Sequence, residues 1–220
     1  MSPDSWSGVL GQRDLLTGAG IRVAMTEVCQ SAEAAVTAAA RLGHPAVLKV
    51  QHRNLSHKSD VGGVAIGLRD AAEVRQAAER LLTLAPGATL LVQQQQYGVE
   101  LVVGGIRDPG LGPMVMVGFG GVLVELLVDT CFAVAPIDAD EATQMWLSLR
   151  AAASLTGFRG GAVVDMKSLA ALAVAVGDIM LDNPGVTEID LNPVLAGPNG
   201  AVAVDWRIGV RIPPPGGEEP

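Results

Sequence analysis

Aromatic residues are scarce in this sequence: three phenylalanines, three tryptophans and one tyrosine in 220 residues. So few rings exclude a stacking platform for single-stranded nucleic acid. Positive charge is short as well, with 15 lysines and arginines against 23 acids and a formal net charge of -8. A surface of that sign excludes sequence-independent binding to nucleic acid or to an anionic membrane. The two cysteines, Cys29 and Cys131, lie far apart among apolar neighbours and match no metal-ligand spacing. Both are expected to be reduced core residues. The longest apolar stretch, "SLAALAVAVGDIML", is interrupted by Asp178 and is too short for a bilayer. The first ten residues lack the basic-then-apolar pattern of an export signal. The expectation is a reduced, cytoplasmic compartment.

About half of the chain is apolar (49%), enough for one or two compact domains. "QRDLLTGAGI" reads as a short helix and "RVAMTEV" as a short strand. "SAEAAVTAAARLG" reads as a helix that Ser31 caps and Gly43 stops. "HPAVLKV" and "GGVAIGL" read as strands. "DAAEVRQAAERLLTLAPG" reads as a helix capped by Asp70, and "TLLVQQQQ" as a strand. That order, β-α-β-β-α-β, implies an open sheet with helices on one face. From Tyr97 the pattern changes to antiparallel strands joined by glycine-rich turns: "VELVVGGIRD", "GPMVMVGFGGVLVELL" and "FAVAP". Two helices are expected next, "DADEATQMWLSLRAAASLTG" ending at Gly157 and "MKSLAALAVAVGDIMLDNPG". A final hairpin joins "VTEIDLNPVLA" to "AVAVDWRIGV". The tail "IPPPGGEEP" has a disordered composition. The division lies near Gln94–Gln96.

Four constellations could carry chemistry. Along the first hairpin strand Glu188, Asp190 and Asn192 share one face. On the returning strand Asp205 and Arg207 share a face, opposite that of Val204 and Trp206. With a turn near Pro198–Gly200, Asp205 joins the polar face of the first strand. Three carboxylates and an amide suit a hard divalent cation; on spacing alone a solvated strand face is the commoner origin of such a pattern. Lys49 ends an otherwise apolar strand, where it either snorkels to water or meets an anion. The third is the loop "HRNLSHKSDVGG". It holds two of the chain's three histidines, His52 and His57, with Arg53 and Lys58, and no acid before Asp60. His57 could serve as base, metal ligand or nucleophile toward phosphorus, or simply sit in a solvated basic loop. Gly62 and Gly63 would let backbone N–H groups approach a phosphate. The fourth, "GFGGVLVE", is either a tight turn or a flexible cover over a nucleotide. No P-loop signature is present, and no dinucleotide fingerprint.

Together "LGHPAVLKV", "HKSDVGGV", "GVELVVGGIRDPGLGP", "GFGGVLVELLVD", "LTGFRG" and "EIDLNPV…AVDWRI" resemble, in order and spacing, the ATP-grasp subunit of the NDP-forming acyl-CoA synthetases. This family is also called the ADP-forming acetyl-CoA synthetases, with succinyl-CoA synthetase as a more distant relative. The resemblance covers about Leu15 to Val210. It implies an α+β ATP-grasp fold of two subdomains with the nucleotide between them. The implied division is a lead over 1–14, a small subdomain over 15–93, a large one over 94–210 and a disordered tail over 211–220.

The resemblance also assigns roles. His57 matches the histidine that is transiently phosphorylated, with Arg53, Lys58, Ser59 and Asp60 as support in the phosphate loop. Lys49 matches the strand lysine on the ATP phosphates, and Gly62 and Gly63 join the nucleotide-binding set. Glu100 matches an acid near the ribose or phosphates. Asn192 and Asp205 match the Mg²⁺ ligands, with Asp190 and Glu188 beside them. Segment 92–96 matches the hinge whose backbone meets adenine, which places Gln94, Gln95 and Gln96 there. The glutamine run departs from the more apolar family pattern, and Ala133 stands where the family more often has an arginine. The implied cofactors are ATP or ADP and Mg²⁺. The implied partner is a CoA-binding ligase alpha subunit, as a separate chain or a lost fusion, in a hetero-oligomer. Two rival readings are a nucleotide-sensing module without turnover and another ATP-grasp carboxylate ligase. Retention of "HKSD" argues against both.

Overall fold

The computed structural model describes residues 8–52, 61–121, 129–161 and 163–211. The chain divides into two compact units. The smaller is Ala24–Gln96; the larger combines the residues up to Val23 with those from Tyr97 onward. Among the described residues no helix is long and apolar enough to cross a membrane.

The smaller unit runs β1 (Thr26–Cys29), α2 (Ala32–Leu42), β2 (Ala46–Gln51), β3 (Val64–Leu68), α3 (Ala71–Leu82) and β4 (Thr89–Gln94). This is the expected element order. The sheet is antiparallel with strand order β1-β4-β2-β3. The helix starts are written in the sequence. Ser31 Oγ accepts from the Ala34 N–H at 3.2 Å, and Asp70 Oδ1 accepts from the Ala72 and Glu73 N–H groups, both at 2.9 Å. Gly43 ends α2 at φ +105°. Leu48, Val50, Leu90 and Val92 form the strand side of the core; Ala35, Ala38, Ala39, Val74, Ala78 and Leu81 form the helix side. Small alanines along α2 let it pack closely on α3.

In the larger unit the strands are β5 (Val99–Asp108), β6 (Gly112–Phe119), β7 (Thr130–Val134), β8 (Val186–Gly197), β9 (Gly200–Ala203) and β10 (Trp206–Val210). They form one antiparallel sheet ordered β10-β8-β5-β6-β7, with β9 also on β8. Helices α4 (Ala139–Leu147) and α5 (Met166–Asp182) cover its apolar side. The Asp165 carboxylate caps the start of α5. At its other end Arg107 of β5 donates to the carbonyls of Met180, Asn183 and Val186, satisfying groups the helix leaves open.

Leu15–Val23, expected to open the smaller subdomain, belong to the larger one. Helix α1 (Val9–Gly18) packs on β10. Leu16 and Ile21 are buried in the larger core, and the Ala203 N–H donates to the Arg22 carbonyl at 2.9 Å. The side-chain amide of Gln12 acts as a short strand against β10. Its Nε2 donates to the Ile208 carbonyl at 3.3 Å, and its Oε1 accepts from the Ile208 N–H at 3.2 Å. An edge strand is thereby closed by a side chain.

Two further expectations change. "RVAMTEV" gives regular strand only over Thr26–Cys29, with Val23 in an isolated bridge to Ala203. The helix expected to run to Gly157 stops at Leu147 and gives way to 3₁₀ turns over Ala152–Leu155 and Phe158–Gly160. The cause is Asp129, which is buried. Its carboxylate accepts from the Arg150 and Ala151 N–H groups at 2.9 Å each, so these donors do not continue the α4 ladder. Of the tail expected over 211–220, Arg211 donates its N–H to the Gly185 carbonyl at 2.8 Å, and residues 212–220 lie outside the described residues.

Asp129→Ala should leave both donors without their acceptor in a partly buried setting. We expect a loss of about 2–4 kcal/mol in a denaturant titration. Asp129→Asn, which keeps one acceptor oxygen, should lose less. Equal losses would mean that one neutral acceptor oxygen restores nothing, so that the charge and the second oxygen carry the effect.

Candidate functional site

Two strands of the larger unit kink at the same place. Leu101 of β5 pairs with Val194 and Val103 with Leu191, so Asn192 and Pro193 stand opposite Val102 alone. On the other side of β8, Leu191 pairs with Trp206 and Val194 with Ala203. Two residues on each strand therefore separate core partners. The Asn192 N–H donates to the Asp205 carbonyl at 3.2 Å, and the Val204 N–H to the Pro193 carbonyl at 3.0 Å. Pro193 has no N–H to give, which weakens the ladder there. Leu191, Val194, Ala203 and Trp206 all face the core. Asn192 and Asp205 lie opposite each other at the kink. The sequence expectation that Val204 shares a face with Trp206 fails for this reason: Val204 is half-buried and lies outside the core cluster.

Glu188 and Asp190 continue along β8 on the face away from the core, and Arg207 stands opposite Asp190. Burial pushes the Asp190 carboxyl above the usual aspartate range, helped by the charges of Glu188 and Asp205 and opposed by Arg207. The acids are thus close enough to feel one another. Among the described residues, however, no three His, Cys, Asp or Glu side chains converge to hold a metal ion. The expected cluster of three carboxylates and an amide is corrected accordingly. What stays together is the pair Asn192 and Asp205. One carboxylate and one amide fit Mg²⁺, which keeps several waters and takes its other oxygens from phosphates.

Glu100 is exposed on β5, on the side away from the core residues Leu101 and Val103. The "GFGG" stretch lies against it: β6 ends at Phe119, and the Gly120 N–H donates to the Glu100 carbonyl at 2.7 Å. Ala133 of β7 is half-buried against the core and pairs with Val115, while its neighbours Phe132 and Val134 point outward.

In the smaller unit Lys49 lies between Leu48 and Val50, which face the core, and so points to the other side of the sheet. It is 6% exposed, which removes the snorkelling alternative. Gln93 Nε2 donates to Thr26 Oγ1 at 2.8 Å on that same side. The glutamines that follow have work within their own unit. Gln95 Oε1 accepts from the Gly67 N–H at 2.7 Å, and its backbone N–H donates to the Pro45 carbonyl at 2.9 Å. The Gln94 amide fills the space beside Gly43, where a Cβ would lie 3.0 Å from Nε2. Gln96 Nε2 donates to the Gln94 carbonyl at 3.3 Å.

Gly62 and Gly63 close the stem of the histidine loop. The Val50 N–H donates to the Gly63 carbonyl at 2.8 Å, and Arg80 Nη1 to the Gly62 carbonyl at 2.9 Å. The sequence reading missed Arg80; its only signal was a basic residue in the last turn of α3. Arg53, His57, Lys58, Ser59 and Asp60 lie outside the described residues.

The raised Asp190 carboxyl has a measurable consequence. A folded-state pKa above the ordinary 3.8 means that the folded chain holds this proton more tightly than the unfolded chain. The resulting stability is present below the ordinary value and is lost as pH rises through the folded one. Asp190→Asn should therefore raise Tm at pH 7, measured without divalent ions. The difference should close as the pH falls into the ordinary aspartate range. A lower Tm for the variant at pH 7 would contradict this.

Residues 4–210 match the family model described as "ATP-grasp domain". The chain is 38% identical over 204 residues to the ADP-forming acetate–CoA ligase I subunit beta of Pyrococcus furiosus, covering 89% of this chain and 88% of that one. It is also 38% identical over 215 residues to the ADP-forming acetate–CoA ligase I of Archaeoglobus fulgidus. That match takes in 93% of this chain but only 31% of the relative, so the chain spans under a third of such longer relatives. Among solved structures, acetyl-coenzyme A synthetase 1 of Ca. Korarchaeum cryptofilum, in complex with coenzyme A and Ca-AMPCP, superposes with a TM-score of 0.85 at 40% identity. It covers 90% of both chains. A second structure of that enzyme, with Mg-AMPPCP and a phosphohistidine segment pointing towards the nucleotide binding site, gives a TM-score of 0.80 at 40% identity. It covers 89% of this chain and 88% of that one. The chain belongs to the ATP-grasp domain family, within the group that includes the beta subunits of the ADP-forming acetate–CoA ligases.

Proposed function

We propose that this chain is the nucleotide-binding component of an ADP-forming acyl-CoA ligase, passing a phosphoryl group between His57 and ADP. The observation that carries the proposal is collinearity. The likeness runs through nearly the whole of a beta subunit, and the motifs that carry the sequence resemblance, around Lys49, His57, Glu100, Asn192 and Asp205, all fall within the matched length. The partner in this reading is a CoA-binding alpha subunit or domain, which would hold the acyl site. A hetero-oligomer in the cytoplasm follows from it. The free thiols Cys29 and Cys131 agree with a reducing compartment.

On the partner, inorganic phosphate displaces CoA from acyl-CoA to give an acyl phosphate. The phosphoryl group then leaves the carboxylate and, through a first histidine of the partner, reaches His57. A neutral imidazole nitrogen of His57 attacks phosphorus, and the bond to the donor breaks. A terminal oxygen of ADP next attacks the same phosphorus; the P–N bond breaks and neutral His57 returns with ATP as product. Arg53 and Lys58 offset charge on the transferring oxygens, with Ser59 and Asp60 beside them in the loop. Gly62 and Gly63 let the loop's backbone approach the phosphates. Lys49 neutralises nucleotide phosphates, and its burial strengthens that attraction. Glu100 contacts the ribose or phosphates, and the backbone of Gln94, Gln95 and Gln96 lies along the adenine. Asn192 and Asp205 would hold Mg²⁺, with Asp190 and Glu188 as outer support; the ion supplies charge neutralisation on the phosphates.

Incubation with radiolabelled ATP, Mg²⁺ and the partner chain should give an acid-labile, base-stable label on this chain. His57→Ala should remove it. Asp205→Ala should slow labelling by roughly a hundredfold or more, since a charge ligand at the phosphates is lost. Acyl-CoA-dependent ATP formation should fall in step. An unlabelled wild type with the partner present would overturn the phosphohistidine reading. Nucleotide binding without label would point to a sensor.

A further inference from the structure

The two glycines after β6 meet Glu100 in different ways. A Cβ on Gly120 would lie 3.0 Å from the Glu100 carbonyl carbon and from Leu101 N and O, so this residue presses on the backbone of β5. A Cβ on Gly121 would lie 2.6 Å from Glu100 Oε2, against the end of the side chain itself. Gly121 also has φ +84°, where an L side chain is strained. Glu100 is exposed, and an exposed glutamate ordinarily samples several rotamers. Its carboxylate occupies the space that the missing side chain of Gly121 leaves.

We propose that Gly121 is a positioning residue for Glu100: the absent side chain leaves the seat in which the Glu100 carboxylate is held for the nucleotide. The glycine-rich turn then affects nucleotide affinity through a carboxylate on the neighbouring strand. A phosphate cradle built from the turn's own N–H groups would act independently of Glu100. The inference rests on the proposed reading of Glu100 as a nucleotide-contacting acid.

Gly112 supplies the control. It has the same φ of +84°, and nothing lies within 4 Å of its Cβ position. Gly121→Ala and Gly112→Ala should therefore carry similar backbone strain and similar falls in Tm. Only Gly121→Ala should also displace the carboxylate. By isothermal titration calorimetry on the full chain, Gly121→Ala should raise the Kd for Mg-ADP roughly tenfold, the scale of one hydrogen bond to a charged group. Gly112→Ala should leave it unchanged. With the partner chain and saturating Mg-ATP, Gly112→Ala should label histidine at the wild-type rate. Gly121→Asn, which tolerates positive φ better, should repeat the Kd effect with a smaller fall in Tm. In a Glu100→Ala background, Gly121→Ala should add less than about a twofold change, because its route is already gone.

Wild-type affinity in Gly121→Ala, or the full tenfold effect persisting without Glu100, overturns the inference. A wild type that binds no Mg-ADP overturns the nucleotide reading of the chain instead.

Discussion

The larger unit depends on one shared kink. One extra residue in a strand turns its side chains over, because two residues instead of one then separate successive inward positions. Here β8 and its return strand are interrupted at the same level, and both turn over together. Leu191 with Trp206 and Val194 with Ala203 all reach the core. Of the four residues left between them, Asn192 and Asp205 carry the polar side chains and have nowhere inward to go. A polar pair is thereby set opposite itself by the packing of its apolar neighbours. Loss of the kink on one strand alone would put a core side chain in water.

This explains how much of the site the sequence disclosed. Alternation along β8 was enough to place Glu188, Asp190 and Asn192 on one face. It was also enough to bring Asp205 near them, because a symmetrical interruption preserves the pairing count. Alternation could not reveal that Val204 leaves the core, since a period of two carries no mark of a kink. The helix start at Asp138 was equally plain, yet its end was not. The group that ends it, Asp129, lies on another segment and acts through space. Glycines were legible as a stretch and illegible as individuals. Only the positions of Glu100 and Leu101 separate the duties of Gly120 and Gly121.

The smaller unit gives the opposite lesson. Its element order and caps follow directly from local signals, because each cap contacts residues two or three positions away. The run of four glutamines looked like a departure from an apolar pattern. In the fold three of the four side chains make definite polar contacts: Gln93 to Thr26, Gln95 to Gly67, and Gln96 to the Gln94 carbonyl. The fourth, Gln94, lies in the space beside Gly43. A polar strand end can substitute for an apolar one when each amide finds a partner. Lys49 belongs to the same economy of strand faces. Its neighbours in sequence serve the core, so the lysine is turned to the opposite side without any special device.

Gln12 joins the first helix to the last strand with a pair of hydrogen bonds that imitates a ladder rung. The beginning and the end of the larger unit are therefore neighbours in space. A unit closed in this way is portable: a longer polypeptide can lead into it and out of it at nearly one point, with little distortion of what lies between. Such portability agrees with relatives of two kinds, one a separate subunit of similar length and others several times longer.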